Sequence, residues 1–286
     1  MPTQSSYFAG AKSLVFTPLG QISVGQDGAI FDRCLFRFDS KANCHIYDLQ
    51  TIKEIGTLTL DQAALLMPHS NSVSFHGDIL YTNLYNTYAK EADRREGVCC
   101  AYRISRENGR FCSKLVQVIR IGFADTDLWR SENGQDVRPY GNFVVEGDTL
   151  HAFVMRDESR TTRFFRFALP EITAGAWNET WGVPVVTLTE ADIRAQFDEC
   201  YVNYMQGAVC HNDLLYSVEG FNHPNDRGRP ALRVFDTRAQ KQVFYADLVA
   251  YGLVNEPEWI DFYDGTMYYA DHAGAFYRLE FTGDTQ

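Results

Sequence analysis

MQGAVCHNDLLY, residues 205–216, is the stretch whose reading decides the fold. It runs from a polar start into a short apolar strand, a two-residue Asn212-Asp213 turn and a second apolar strand. Four other segments follow the same plan: GQDGAIFDRCLF (25–36), HSNSVSFHGDILY (69–81), PYGNFVVEGDTLH (139–151) and EPEWIDFYDGTMYY (256–269). Their turn pairs are Asp32-Arg33, Gly77-Asp78, Gly147-Asp148 and Asp264-Gly265. Gly, Asn and Asp tolerate the positive φ that two-residue hairpins demand, so Asp32-Arg33 is the weak member of the set.

Self-similarity on this scale marks a repeat architecture. Each hairpin is followed by a third strand with aromatic residues at alternate positions: CHIYDL (44–49), CCAYRI (99–104), FFRFAL (164–169), LRVFDT (232–237) and FYRLEF (276–281). A fourth apolar strand follows in the first four units, as EIGTLTL (54–60), KLVQVIRI (114–121), VPVVTL (183–188) and QVFYADL (242–248). The fifth unit lacks one, and residues 13–19 at the opposite end of the chain are free to supply it. The predicted fold is all-β: a five-bladed β-propeller of four-stranded antiparallel blades, its ring closed by the N-terminal strand, with residues 1–286 as a single domain. An irregular β-sandwich is the competing architecture, because the turns are unevenly spaced. Local insertions explain the unevenness. Thr189 and Asp192 resemble the N-cap and acidic first turn of a short helix over 189–197; residues 61–66 are a second helical candidate; and 122–138 read as a polar connecting loop with Trp129 tucked inward.

With 45% hydrophobic and 22% charged residues among 286, the composition is that of a packed globular protein. The 14% aromatic content favours pleated sheet over helix. A net charge of −11 repels phosphate backbones, so neither nucleic acid nor an anionic membrane is an expected partner. The start, MPTQSSYFAGAKSLVF, has no charged segment leading into an apolar run, and no stretch reaches the ~18 apolar residues of a membrane span. The expected location is the cytoplasm, or outside the cell had a leader been removed. Seven cysteines (34, 44, 99, 100, 112, 200 and 210) form no C-x-x-C pair and mostly sit in apolar runs. They read as reduced core thiols, with adjacent Cys99 and Cys100 on opposite faces of one strand.

Counting back from the first residue of each turn pair gives an internal register. Six places before it stand Gln26, Asn71, Gly141, Gln206 and Glu258; eight places before it stand Val24, His69, Pro139, Tyr204 and Glu256. Period-two alternation puts both sets on one strand face, at the start of each innermost strand. Gly141 breaks the polar set unless its neighbour Asn142 substitutes. The candidate ligand-binding residues are therefore Gln26, His69, Asn71, Asn142, Gln206, Glu256 and Glu258, gathered around the propeller axis. Amides and carboxylates facing a shared interior need hydrogen-bond partners, which are either a ligand or one another together with channel water.

Sharper chemistry finds less support. His69, Glu256 and Glu258 are suitable donor types for Zn, Mn or Ca but lack a recognised ligand spacing, so neither a metal nor another cofactor is expected. Glu256 and Glu258 as a glycosidase pair would share one strand, whereas acid and base normally flank the bond from two sides. Asp27, the nearest further carboxylate, has the opposite strand parity. His69 with Asn71 as orienter is the candidate general base. His151 takes the place of Tyr81, Tyr216 and Tyr268 in related units and reads as a packing residue; His45, His76 and His211 lie in or beside strands; and 220–230 read as an exposed loop. No G-x-S-x-G, H-E-x-x-H, P-loop or dinucleotide fingerprint occurs.

The starts Met205-Gln206-Gly207, His69-Ser70-Asn71 and Glu256-Pro257-Glu258 resemble those of a bacterial propeller group that includes helveticin J-like bacteriocins and teichoic-acid-biosynthesis-C-like proteins. The resemblance spans about 22–281 but rests on short motifs, and Gln26-Asp27-Gly28 departs from the Gln-Gly pair. It implies a propeller with a cell-wall or glycan connection. The leading functional expectation is a ligand-binding propeller taking a small polar ligand or glycan in its axial pocket, with Tyr140, Tyr204 or Trp259 offering a flat face. The alternatives are a glycan-active hydrolase or lyase using Glu256, Glu258 and His69, and a protein-interaction platform.

Overall fold

The computed structural model describes residues 13–60, 69–85, 97–123, 126, 128–129, 141–156, 161–200, 204–221 and 228–283, with backbone alone at 69–71 and 85. The chain forms a five-bladed β-propeller. Blade 1 is β2 (Gly28–Phe31), β3 (Cys34–Phe38), β4 (Asn43–Asp48) and β5 (Lys53–Thr59). Blade 2 is β6 (His69–His76), β7 (Ile79–Tyr85), β8 (Val98–Glu107) and β9 (Arg110–Ile121). Blade 3 begins with β10 (Gly141–Glu146), β11 (Thr149–Arg156) and β12 (Thr161–Ala168). Blade 4 is β16 (Met205–His211), β17 (Leu214–Glu219), β18 (Ala231–Asp236) and β19 (Lys241–Asp247). Blade 5 is β20 (Pro257–Tyr263), β21 (Thr266–Asp271) and β22 (Ala275–Thr282), completed by β1 (Ser13–Gln21), which pairs antiparallel with β22. The predicted closure of the ring is thus present, and the sandwich alternative is excluded.

The core explains why the strands read as apolar runs. Buried residues fall into five clusters, one at each junction between neighbouring blades, including the junction of blade 5 with blade 1. A strand sandwiched between two junctions is buried on both faces. Cys99 and Cys100 show this directly, since Cys99 belongs to the junction of blades 2 and 3 and Cys100 to that of blades 1 and 2. All seven cysteines are free.

Two sequence expectations are corrected. VPVVTL is not the fourth strand of blade 3. It is β14 (Val183–Leu188), running parallel to β9 and, with β13 (Ala176–Asn178), extending blade 2 to six strands. The fourth strand of blade 3 is instead β15 (Ala195–Cys200), inside the segment expected to be a helix. Thr189 and Asp192 do form a reciprocal capping box, but it closes a single 3₁₀ turn, Glu190–Asp192, before the chain becomes extended at Ile193. Residues 61–66 lie outside the described residues. Trp129 is tucked inward as expected, 1% exposed and packed against Phe143 and Phe165. Its indole fills the space where a Cβ on Gly141 would project.

The weak turn pair is a hairpin nonetheless. Asp32 and Arg33 both take positive φ (47° and 61°), and the Arg33 backbone amide donates to the Tyr263 hydroxyl at 3.1 Å. Polar side chains on or beside the innermost strands also latch blades together at four of the five junctions by accepting from backbone amides. Asp27 accepts from the Val73 amide (2.9 Å), Ser74 from Val145 (3.0 Å), Glu146 from Asp213 (3.3 Å) and Asp261 from Ile30 (2.7 Å). Among the described residues no helix is long and apolar enough to cross a membrane.

Candidate functional site

The register found in the sequence has a structural cause. In β16 the pairing with β17 shifts between Met205 and Gly207, leaving Gln206 as an extra residue. In β20 it shifts between Pro257 and Trp259, leaving Glu258 extra. In β6 the shift spans Ser70 to Val73 and contains Asn71. In blade 1, Gln26 and Asp27 both face Phe38, the Gln26 amide donating to its carbonyl at 2.8 Å and its amide donating to the Asp27 carbonyl at 3.0 Å. A bulge of this kind frees one residue from the ladder and re-aims its side chain. Blade 3 carries Gly141 at the equivalent place, and there the pairing is regular. The polar side chain and the bulge therefore occur together.

The bulges bring four of the predicted residues into contact in two pairs. Gln26 donates from Nε2 to Glu258 Oε1 at 3.1 Å. Gln206 donates from Nε2 to Glu256 Oε1 at 2.6 Å and to the Gly220 carbonyl at 3.0 Å. Gly207 makes the approach of blades 4 and 5 possible, because a Cβ there would overlap the Glu258 carbonyl oxygen. Asn142, buried at the junction of blades 2 and 3, accepts from Asn83 Nδ2 at 3.1 Å; the same amide also donates to the Gly141 carbonyl. The side chains of His69 and Asn71 lie outside the described residues.

Beneath the glutamates sits a fully buried cation that the sequence reading passed over. The Arg37 guanidinium donates to the carbonyls of Gln26, Gly25 (2.9 Å) and Asp271 (2.8 Å), which fixes the bulge carrying Gln26 and the end of β21. Nothing in LFRF marks Arg37 out, since both faces of that strand are buried and alternation gives no cue. Asp271 in turn accepts from Asn255 Nδ2 (2.7 Å) and from the Ala275 amide (2.9 Å).

The electrostatics are those of a crowded, buried acidic cluster around Arg37. Burial raises the Glu258 pKa well above the ordinary carboxylate value; neighbouring Glu256 adds to the rise, while Arg37 and the Gln26 amide oppose it. Its second oxygen, Oε2, is buried without a hydrogen-bond partner. Asp27, weighed in the sequence as a partner for the glutamates, is instead a buried latch, its pKa raised by burial and lowered by the amides of Gly28 and Val73. Trp259 cannot offer a flat face: it is 0% exposed and stacked on Phe276. Tyr204 can, being 38% exposed with its ring edge-on to Phe221. Tyr140 lies outside the described residues.

No family model and no curated protein matches the sequence. Solved structures similar to it include a glutaminyl cyclase of Myxococcus xanthus, with a TM-score of 0.54 and 11% identity over 95% of this chain and 96% of that one. The β-propeller domain of Swd1 from Myceliophteria thermophila gives a TM-score of 0.40 and 10% identity over 94% of this chain and 100% of that one. BamB from Moraxella catarrhalis gives 0.37 and 9% over 92% and 59% respectively. At 11% identity the likeness to the Myxococcus xanthus protein is one of fold alone.

Proposed function

We propose that this propeller binds a small polyhydroxylated ligand, a carbohydrate, at the bulge residues Gln26, Gln206 and Glu258 and the neighbouring Glu256, with Tyr204 as the aromatic face beside them. The observation that carries the reading is Glu258 Oε2, which is buried without a hydrogen-bond partner while its other oxygen accepts from Gln26. An unmade hydrogen bond at a buried polar group costs about 1–3 kcal/mol, and a ligand hydroxyl arriving there recovers it. The resemblance to a cell-wall-associated propeller group supports a glycan as the source of those hydroxyls. A glycan array probed with the wild type and with Gln206→Ala tests this. Binding of a defined glycan class, weakened by about 1–3 kcal/mol in the variant, is the expected result; a wild type that binds no glycan on the array refutes it.

One observation favours a second reading, a glycan-active hydrolase. Burial and the neighbouring Glu256 raise the Glu258 pKa, which favours the protonated form that a general acid needs, and Glu256 is a second carboxylate beside it. A propeller of this shape does host an enzyme, the glutaminyl cyclase. Chromogenic glycosides decide between the readings. Turnover by the wild type that is lost in Glu258→Gln, with glycan binding retained, makes the protein a hydrolase; binding without turnover leaves it a lectin-like propeller.

A further inference from the structure

At the hairpin-turn end of blades 3 and 4, the opposite end of the innermost strands from the glutamates, three side chains of different chemistry converge. Glu146 ends β10 immediately before its turn, His151 lies on β11, and Cys210 lies near the end of β16. One oxygen, nitrogen and sulfur atom from the three all lie within 4.8 Å of one another. The Cys210 thiol donates to Glu146 Oε2 at 3.1 Å, and His151 Nε2 stands 3.9 Å from the same oxygen. That nitrogen is buried and has no hydrogen-bond partner, although its ring is only 4% exposed and faces the two other groups. A buried imidazole nitrogen directed at a thiol and a carboxylate combines three donor types that metal ions take.

We propose that Glu146, His151 and Cys210 form a binding site for a Zn²⁺-class divalent metal that bridges blades 3 and 4. The donor set fits that class, since thiolate and imidazole select Zn²⁺ or Co²⁺ over Ca²⁺ and Mg²⁺, which require oxygen ligands. Only short side-chain movements are needed. Tetrahedral coordination sets the ligand atoms roughly 3.3–3.8 Å apart at metal bond lengths of about 2.0–2.3 Å. On binding, the Cys210 thiol loses its proton to solvent and its sulfur takes the metal in place of the hydrogen bond to Glu146. Thiolate and carboxylate then neutralise the dication, leaving the imidazole uncharged. The fourth position opens on the side of Glu146, whose side chain is 25% exposed, so water can reach and occupy it. The latch from Glu146 to the Asp213 amide already joins these blades at the same point.

The test uses reduced, chelator-treated protein titrated with Co²⁺. A thiolate-to-cobalt charge-transfer band in the near ultraviolet, visible bands of tetrahedral intensity, and loss of both on adding Zn²⁺ are expected. Cys210→Ser abolishes the charge-transfer band, whereas Cys200→Ser, at an exposed cysteine of β15, leaves it intact. No band in the wild type, or a band that survives Cys210→Ser, overturns the proposal. Should Cys210→Ser not fold, X-ray absorption of the Zn²⁺-loaded wild type decides alone. One sulfur scatterer at about 2.3 Å with nitrogen and oxygen at about 2.0 Å supports the site, and a shell without sulfur ends it.

Discussion

Asp261 shows how one half-buried carboxyl serves the ring. Its side chain accepts from the amides of Ile30 in blade 1 (2.7 Å) and of Phe262 beside it (2.7 Å), yet burial lifts its pKa to about 7. In the unfolded chain the same group titrates near 4. The native state therefore holds the proton more tightly, and the stabilisation is complete below about pH 4 and lost as pH rises toward 7. Asp261→Asn should flatten that part of the melting-temperature profile, narrowing a difference of a few kcal/mol at about 1.4 kcal/mol per unit. A variant whose profile runs parallel to the wild type from pH 4 to 7 would show that Asp261 is not the titrating group. At this scale the site was partly legible. Gln26, Gln206, Glu256 and Glu258 were found because a repeat fixes the radius at which each residue sits. Arg37 was not, because its role is to bind carbonyls, and carbonyls have no signature in the sequence. Glu146, His151 and Cys210 were missed for another reason: they meet across two blades at different register positions.

β1 is the element on which closure rests. Ser13 to Gln21 pair with Thr282 to Ala275 along one outer edge, where Pro18 can stand because an edge strand has no further neighbour to bond. Leu14 is buried, and the Phe16 ring packs edge-on against Tyr251, Tyr269 and Tyr277. Phe16→Ala should cost roughly 2 kcal/mol, less than the 3–5 of a fully buried phenylalanine, since Phe16 is half-buried. Deleting residues 1–21 should abolish cooperative unfolding, because the outer edge of β22 is left unpaired. Denaturant melts of both proteins check this, and a truncated protein that melts like the wild type would contradict it. The strand pattern that revealed β1 also produced the two errors. VPVVTL and AQFDEC are both plausible outer strands, and an outer strand carries only half the pattern of an inner one. The capping box at Thr189 marks where a turn begins and says nothing of how far it runs. What ends it is the pairing of Phe197 with Phe164, whose rings stack at 4.8 Å.

For the whole molecule the consequence is that no blade is terminal. An open repeat array unfolds from its ends, because each end unit has one neighbour. Here all five junctions hold a buried cluster, and the last of them, between blades 5 and 1, packs Ile22, Ile30 and Leu35 against Trp259, Ala270 and Phe276. The first and last described strands meet inside one sheet rather than between sheets, since Ser13 stands opposite Thr282 in the β1–β22 ladder. A short turn joining those residues would close the chain covalently without disturbing a pair, and the chain can then be reopened elsewhere. Opened at residues 238–240, between β18 and β19, the permutant again has its ends clasped within one blade. Opened at residues 61–68, between blades 1 and 2, each end belongs to a different complete blade, and the ring is held shut there by the packing of one junction and the Asp27 latch, with no strand ladder across it among the described residues. The first permutant should therefore unfold at a rate close to the wild type, and the second markedly faster, with stopped-flow unfolding in denaturant as the measurement. Equal unfolding rates for the two permutants would mean that the junction clusters alone keep the ring closed and that the shared blade contributes nothing to its persistence.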